Sequence, residues 1–360
     1  MKQDAQRFAA LDGLRAVAAA GVLLYHFADW SGRPGWFGHG YLAVDFFFCL
    51  SGFVLAHAFQ RRPIGWPAYL RIRIVRIWPL LVLSTLIGAV LTSRHSPPFW
   101  PNLARGLLLV PRLGHAAEGT FPTLFPFNPP AWSLCLEVLV SALWFPLRRL
   151  PDLGLAAIVL CSGAVMLWVA LGLHGVETGW DQATFWLGVA RATFSFSLGW
   201  AAWRYRSLAP RPRLAIPALV LLAALFMPIL PWNGVYDFAC VALLFPLLVL
   251  TGAHDPRGAV GRLCRRAGEI SYPLYALHWA TWAVMLRLYA HGWKPLLPLG
   301  FFGLALLAAP LTAWAAFRLY DAPVRRWLGR PLPPPGPGGL GQQPPDAGGP
   351  PPSHSARATT

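Results

Sequence analysis

LDGLRAVAAAGVLLYHF, residues 11–27, is an apolar stretch that carries a guanidinium, Arg15, and an imidazole, His26. A run of this kind reads as a membrane helix, and an ionisable side chain inside a bilayer is costly enough to mark a functional site by default. Eleven residues separate the two. At about 100° per residue that is roughly three full turns, so both side chains lie on one helix face, about 16 Å apart along the axis.

The rest of the chain repeats the pattern. Of its 360 residues, 56% are hydrophobic and 12% charged, against about 25% charged in a soluble domain. In hydrocarbon the backbone must satisfy its own hydrogen bonds, and repeated runs of about 20 apolar residues do so as helices. The expected fold is therefore all-α: a polytopic integral membrane protein of about ten transmembrane helices, near 9–28, 41–59, 77–93, 132–148, 153–173, 183–203, 214–231, 235–252, 271–290 and 297–318. Pro and Gly clusters such as GRPGW (32–36) and LPWNG (230–234) punctuate them. The first run is long, holds Arg15 and lacks a small-residue cleavage site, so it reads as a retained span. Residues 1–330 are expected to form the transmembrane domain, and 331–360, PLPPPGPGGLGQQPPDAGGPPPSHSARATT, a disordered cytoplasmic tail.

The net charge of +16 raises the question of nucleic acid. The basic residues answer it by clustering in short loops between apolar runs, with no basic helix, zinc pattern or aromatic RNA-binding signature. With the N-terminus cytoplasmic, 21 basic residues fall inside, from Lys2 and Arg7 to Arg326 and Arg330. Five fall outside: Arg33, Arg94, Arg105, Arg112 and Lys294. That asymmetry, with an even helix count, predicts N-in and C-in, the topology of a multi-pass protein in contact with membrane lipids. The five cysteines show no Cys-x-x-Cys spacing, so neither a disulfide framework nor a metal site is expected. No internal repeat of the kind many transporters show is visible. The longest outer connection, about 94–131, is expected to hold a short lipid-facing helix near 102–110.

Further polar groups interrupt the apolar runs. The second, YLAVDFFFCLSGFVLAHAF (41–59), carries Asp45 near its outer end and Ser51-Gly52 at mid-depth. AYLRIRIVRIWPLL (68–81) crowds Arg71, Arg73 and Arg76 at the expected inner entrance of the third helix. Guanidinium groups stay charged and bind phosphates bidentately, and a helix N-terminus there would favour an anion further. AWSLCLEVLVSALWF (131–145) places Glu137 at a depth expected to match His26. A carboxylate beside an imidazole can orient it and raise its basicity. EISYPLYALHWATWAVMLRLY (269–289) adds Tyr275 and, at mid-membrane, His278. Arg191 and Arg287 have no partner that the sequence assigns.

Two layers emerge. Arg15, Arg71, Arg73 and Arg76 form a cationic inner layer, while His26, Asp45 and Glu137 form an acid–base outer layer. An extended phosphopantetheine arm has a reach comparable to the gap between them, about 16 Å. A donor with an anionic nucleotide inside and a thioester tip near the outer face would bridge the layers. A transporter or flippase of a saccharide-lipid or acyl group is the alternative, since intramembrane Arg, His and carboxylates also suit proton relays. Such a protein has no need of the inner arginines.

With these residues in view, the chain resembles the acyltransferase-3 family of integral membrane O-acyltransferases. LDGLRAVAAAGVLLYH (11–26) matches its Arg-x10-His signature and VDFFFCLSGF (44–53) its second-helix signature. RIVRIWP (73–79) matches its Arg-x-x-Arg element, WSLCLEVL (132–139) its Trp-Ser-Leu-x-x-Glu element, and ISYPLYALHW (270–279) its late Tyr-Pro-Leu-Tyr-x-x-His element. The family's Glu-x-Pro near the last helix stands here as Asp321 in YDAPVRR (320–326). The resemblance implies an acyl-CoA co-substrate, usually acetyl-CoA, and a hydroxyl acceptor that is often a cell-surface or secreted saccharide. It implies His26 as the catalytic residue, with Glu137 or Asp45 expected to orient it, and Arg15, Arg73 and Arg76 as donor-binding residues, with Arg71 grouped beside them. Ser51, Tyr275 and His278 are expected to contact substrate.

Overall fold

The computed structural model describes residues 8–32, 37–92, 98–114, 122–208, 215–292 and 298–329. Among these, structure is helical apart from one isolated bridge between Thr123 and Asp181. The helices are α1 (Ala9–Trp30), α2 (Ala43–Phe59, entered through a 3-10 turn at Gly40–Leu42), α3 (Trp66–Leu91), α4 (Phe99–Leu108), α5 (Ala131–Leu147), α6 (Asp152–Gly172), α7 (Phe185–Arg204) and α8 (Ala215–Phe226). Then follow α9 (Asn233–Ala239), continued through a π-helical turn into α10 (Phe245–Thr251), and α11 (Gly258–Ala290). Last is α12 (Pro298–Ala316), continued the same way into α13 (Ala322–Leu328). The expected tail at 331–360 lies outside the described residues.

Among the described residues, six stretches are long and apolar enough to cross a membrane: Ala9–Trp30, Gly40–Phe59, Trp66–Leu91, Asp152–Gly172, Asn233–Thr251 and Gly303–Leu328. α5 and α8 are apolar but shorter. α7 and α11, also expected to span, dilute their apolar residues with Trp, Tyr, Ser, Arg and His. Large apolar side chains point outward along these helices, Val90, Leu153, Leu160 and Leu319 among them, a surface that water disfavours and lipid accepts. This is a helical membrane protein.

Two helices start earlier than the sequence suggests. α3 begins at Trp66 after the extended Gly65, with Pro67 in its first turn, where proline is tolerated. Arg71, Arg73 and Arg76 therefore lie within the helix, and its N-terminus does not face their ligand as expected. α11 begins at Gly258 and runs unbroken through Pro273. The short helix expected near 102–110 is α4, which ends at Leu109 in the left-handed region and exposes Trp100 and Leu108.

α1 packs along α11, α11 on α12 and α3, and α2 on α7. The α2–α7 crossing rests on glycine. A Cβ on Gly52 would stand 2.0 Å from the Phe196 carbonyl oxygen, and one on Gly199 1.8 Å from that of Cys49. Each helix lays its backbone against the other, as small residues permit in membranes. That contact sets Asp45 of α2 opposite Arg191 and Ser195 of α7.

Candidate active site

α1 turns Arg15 and His26 to the interior, where each lines a different cavity. The two cavities adjoin: Val44 and Tyr275 line both.

The inner cavity is small, about 80 Å³, and cationic. Arg15, Arg73 and Arg76 line it with Ser51, Glu137 and Tyr275. Arg73 is buried and donates through Nη2 to Glu137 Oε1 at 2.5 Å, and the Ser51 hydroxyl donates to the same oxygen at 2.8 Å. A guanidinium and a carboxylate at that depth each require the other, since either alone would be an uncompensated buried charge. Arg15 pairs with Asp12, one turn earlier in α1. Arg76 is exposed at the rim. Three guanidiniums against two carboxylates leave the cavity attractive to an anion. The Tyr272 hydroxyl donates to the Ile77 carbonyl at 2.6 Å and ties α11 to α3 beside it.

The outer cavity is about 790 Å³, within the range of roughly 300–1,000 Å³ typical of ligand sites. Trp30, Trp132, Trp180, Trp279 and Trp282 give it aromatic walls; Tyr25, His26, Asn102, Glu177 and Arg191 supply polar groups. The His26 ring stacks on Trp30 (centroids 4.9 Å apart, planes at 17°) and on His278 (5.3 Å, 19°). His278 is buried and its Nδ1 lies 2.5 Å from the Tyr275 carbonyl. A carbonyl only accepts, so Nδ1 holds the proton and Nε2 is left as an acceptor, without a protein partner among the described residues. Tyr275, at the junction of the cavities, shares a hydrogen bond with Ser133.

Several expected partnerships are replaced. Glu137 does not orient His26; it stands in the inner cavity on Arg73, so its depth is that of the arginines. Asp45 does not orient His26 either. It is fully buried and accepts from Arg191 Nε at 3.0 Å to each oxygen, from Arg191 Nη2 at 2.5 Å and from the Ser195 hydroxyl at 3.0 Å. Arg191 also donates to the Thr178 and Tyr41 carbonyls at 3.1 and 3.2 Å. A carboxylate so committed clamps α2 to α7. Arg71 is exposed, donates to the Leu328 carbonyl at 3.1 Å and does not line the inner cavity. Ser51 serves Glu137, and His278 sits behind His26 without lining the outer cavity. Asp321 pairs with Arg325, Nε to Oδ1 at 2.7 Å; Arg287 is exposed.

Other residues emerge only from the structure. Tyr25 donates to Glu177 Oε1 at 2.9 Å, and both line the outer cavity. Behind them lies a buried polar network of His39, Tyr41, Asn233 and Asp237. Asp237 in the apolar run NGVYDFACVALLF (233–245) could have been found by the rule that singles out Arg15. Glu177 lies in a connection with no such signal. Among the described residues, no group of three or more His, Cys, Asp or Glu is placed to hold a metal ion.

The chain matches the family described as an acyltransferase domain over residues 8–318. It is similar to BcsY of Komagataeibacter xylinus, described as a membrane-bound transacylase: 30% identical over 306 residues, 75% of this chain and 71% of that protein. The acyltransferase MdmB of Streptomyces mycarofaciens is 28% identical over 380 residues, 90% of this chain and 93% of its own length. The O-acetyltransferase OatA of Staphylococcus aureus (strain NCTC 8325 / PS 47) is 20% identical over 355 residues, 88% of this chain but 57% of its own length. No solved structure matches. Because the matched span takes in both cavities and the helices that line them, the polar groups gathered there belong to a membrane acyltransferase, and the chain is a member of that acyltransferase family.

Proposed function

We propose that this protein is an O-acyltransferase of a bacterial inner membrane, crossing it ten times with both termini cytoplasmic. It moves an acyl group, acetyl in the first instance, from acyl-CoA to a hydroxyl of a cell-surface or secreted saccharide. The observation that carries this reading is the adjoining pair of cavities, cationic around Arg15, Arg73 and Arg76 and aromatic around His26, sharing Val44 and Tyr275 as common walls. The phosphates of the donor bind the guanidiniums from the cytoplasmic side, and its arm carries the thioester past Tyr275 to His26. The names of the transacylase and O-acetyltransferase relatives support the reaction class.

The chemistry follows from what His26 can do. Its neutral ring takes the proton of the acceptor hydroxyl as the oxygen attacks the thioester carbonyl. The carbon–sulfur bond breaks, and the departing thiolate takes the proton back from the imidazolium, so ester and CoA leave and His26 is neutral again. Stacking on Trp30 and His278 sets the plane of the ring, the office that a carboxylate fills in other acyl transferases. A route through acyl-His26 places the same proton transfers in two halves.

Purified protein in nanodiscs with acetyl-CoA and envelope glycan fragments tests the proposal. Ester formation matched by CoA release is expected, and both vanish in His26→Ala. Equal activity of the variant sinks the assignment of His26. Label from the donor retained on the protein without acceptor selects the two-step route, and its absence selects direct attack.

A further inference from the structure

Glu177 and Asn102 take no part in the chemistry assigned to His26, yet both line the cavity that holds it. Glu177 lies between α6 and α7, and its place is imposed from behind. Asp237 Oδ2 accepts the amide of the adjacent Val176 at 3.0 Å and the Tyr41 hydroxyl at 2.7 Å. Asn233 donates to the Tyr41 oxygen at 2.9 Å, and its own Oδ1 lies 2.6 Å from His39 Nε2. His39, Asn233 and Asp237 are all buried. Asp237 Oδ1 takes no hydrogen bond among the described residues, but the bonds to Oδ2 hold the Val176 amide and with it the backbone from which the Glu177 side chain departs.

Glu177 is consequently held facing the cavity and exposed to it. One of its oxygens accepts from Tyr25, the residue before His26, whose ring lies 5.1 Å from the His26 ring. Among the described residues Tyr25 is its hydrogen-bond donor. The other oxygen remains to accept from a bound molecule. Asn102, on α4, offers a second such oxygen by a half-turn of its amide. The side chain is 7% exposed and lines the cavity, while its Oδ1 is turned into the protein without a partner among the described residues. A buried amide oxygen without a donor is unfavourable, and turning it out to a ligand hydroxyl relieves it.

We infer that Glu177 and Asn102 hold the acceptor by taking hydrogen bonds from hydroxyls other than the one that reacts at His26, so that the cavity selects an acceptor with further hydroxyls near the reacting one. This rests on the acyl-transfer reading above. Both atoms accept only, and therefore demand O–H or N–H groups on the ligand. A single-hydroxyl alcohol satisfies His26 and leaves both unpaired. A site built around hydroxyl contacts discriminates strongly against an analogue that lacks them. Trp30 and Trp279 offer ring faces for the apolar side of such a molecule.

Saturation-transfer NMR on the full chain in nanodiscs, with methyl glucoside, methyl galactoside, methyl mannoside and cyclohexanol as probes, tests this. At least one glycoside is expected to bind and cyclohexanol is not. Glu177→Gln, which keeps the shape of the side chain, and Asn102→Ala each weaken glycoside binding at least tenfold. Tyr25→Phe, which frees the carboxylate from its tether, weakens it to a smaller extent. Equal binding of cyclohexanol, no binding of any glycoside, or unchanged binding in Glu177→Gln and Asn102→Ala overturns the inference. CoA release from acetyl-CoA in wild type against His26→Ala is read separately. Loss of His26 dependence there removes the acyl-transfer reading while leaving the glycoside result standing.

Discussion

The two cavities are built from opposite materials. The inner one sets three guanidiniums around about 80 Å³, and the outer one sets five tryptophans, with Asp29, Glu177, Arg112 and Arg191 among its polar groups, around about 790 Å³. Charge attracts at a distance and is tolerant of orientation, whereas ring faces and single hydrogen-bonding atoms act only on contact and select shape. The difference teaches that this acyltransferase has two recognition problems with different solutions. On the proposed reaction, one end suits a polyanion common to many reactions, the other a particular molecule recognised by contact. Tyr275 stands where the two meet, with its hydroxyl turned to Ser133.

The comparison can be broken most directly at His26. His26→Ala is expected to lower acyl transfer by about 10²- to 10⁴-fold, the usual contribution of a general base, while donor binding to the inner cavity, followed by protection from heat by CoA, persists. Loss of CoA protection in that variant would mean that the cavities are one site.

Next come the buried ion pairs. Arg73→Ala strands Glu137 and Asp45→Ala strands Arg191; each is expected to cost about 3–5 kcal/mol of stability, as removal of one partner of a buried pair does. They differ in function. Asp45→Ala lowers the unfolding midpoint without changing the donor KM of the protein that remains folded, whereas Arg73→Ala does both. A donor KM that rises equally in the two would deny Arg73 a role at the inner cavity.

Arg76 separates charge from stability. Arg76→Ala, exposed at the rim, is expected to raise the donor KM about tenfold, the value of one charge-assisted hydrogen bond of roughly 1.5 kcal/mol. Its unfolding midpoint stays near wild type. Arg71→Ala provides the control: outside the cavity, it is expected to change the donor KM by less than about 0.5 kcal/mol, the usual range for a surface site.

The outer cavity adds a smaller, pH-dependent effect. Enclosure by the cavity wall pushes the Glu177 carboxyl above the usual carboxylate range; Asp29 pushes the same way, and Tyr25 and the Arg191 charge oppose it. Protonation takes away its accepting charge. Acceptor binding is therefore strongest above the raised value and weakens as pH falls through it, at less acidic pH than an ordinary glutamate would show. Acceptor KM measured from neutral to mildly acidic pH shows this rise in wild type and none in Glu177→Gln. A rise of the same size in the variant assigns the titration elsewhere.

Much of this was legible in the chain. A charge in an apolar run is visible because its cost does not depend on what surrounds it, so Arg15, His26, Asp45, Arg73, Glu137 and Arg191 could be singled out before any of them had a neighbour. Spacing along α1 put Arg15 and His26 on one face, and apolar length announced a helical membrane protein. Depth was less secure. Counting from an end of its helix puts Glu137 level with His26, whereas the way α5 meets α3 gives the carboxylate to Arg73.

Pairing between helices belonged to the tertiary structure alone. A helix displays its polar groups over a full turn, and which neighbour meets them depends on rotation and crossing. Gly52 and Gly199 bring α2 and α7 into backbone contact and so give Asp45 to Arg191 instead of His26. The same holds for Glu177, an ordinary loop carboxylate in the sequence, whose position comes from Asp237 some sixty residues away. By itself the sequence determined that the protein lies in a membrane and which residues are too costly there to be idle, because those are properties of single segments in a solvent. The fold alone decided which of them stand together, because a hydrogen bond is made by two groups within about 3 Å and no run of sequence specifies that distance across helices.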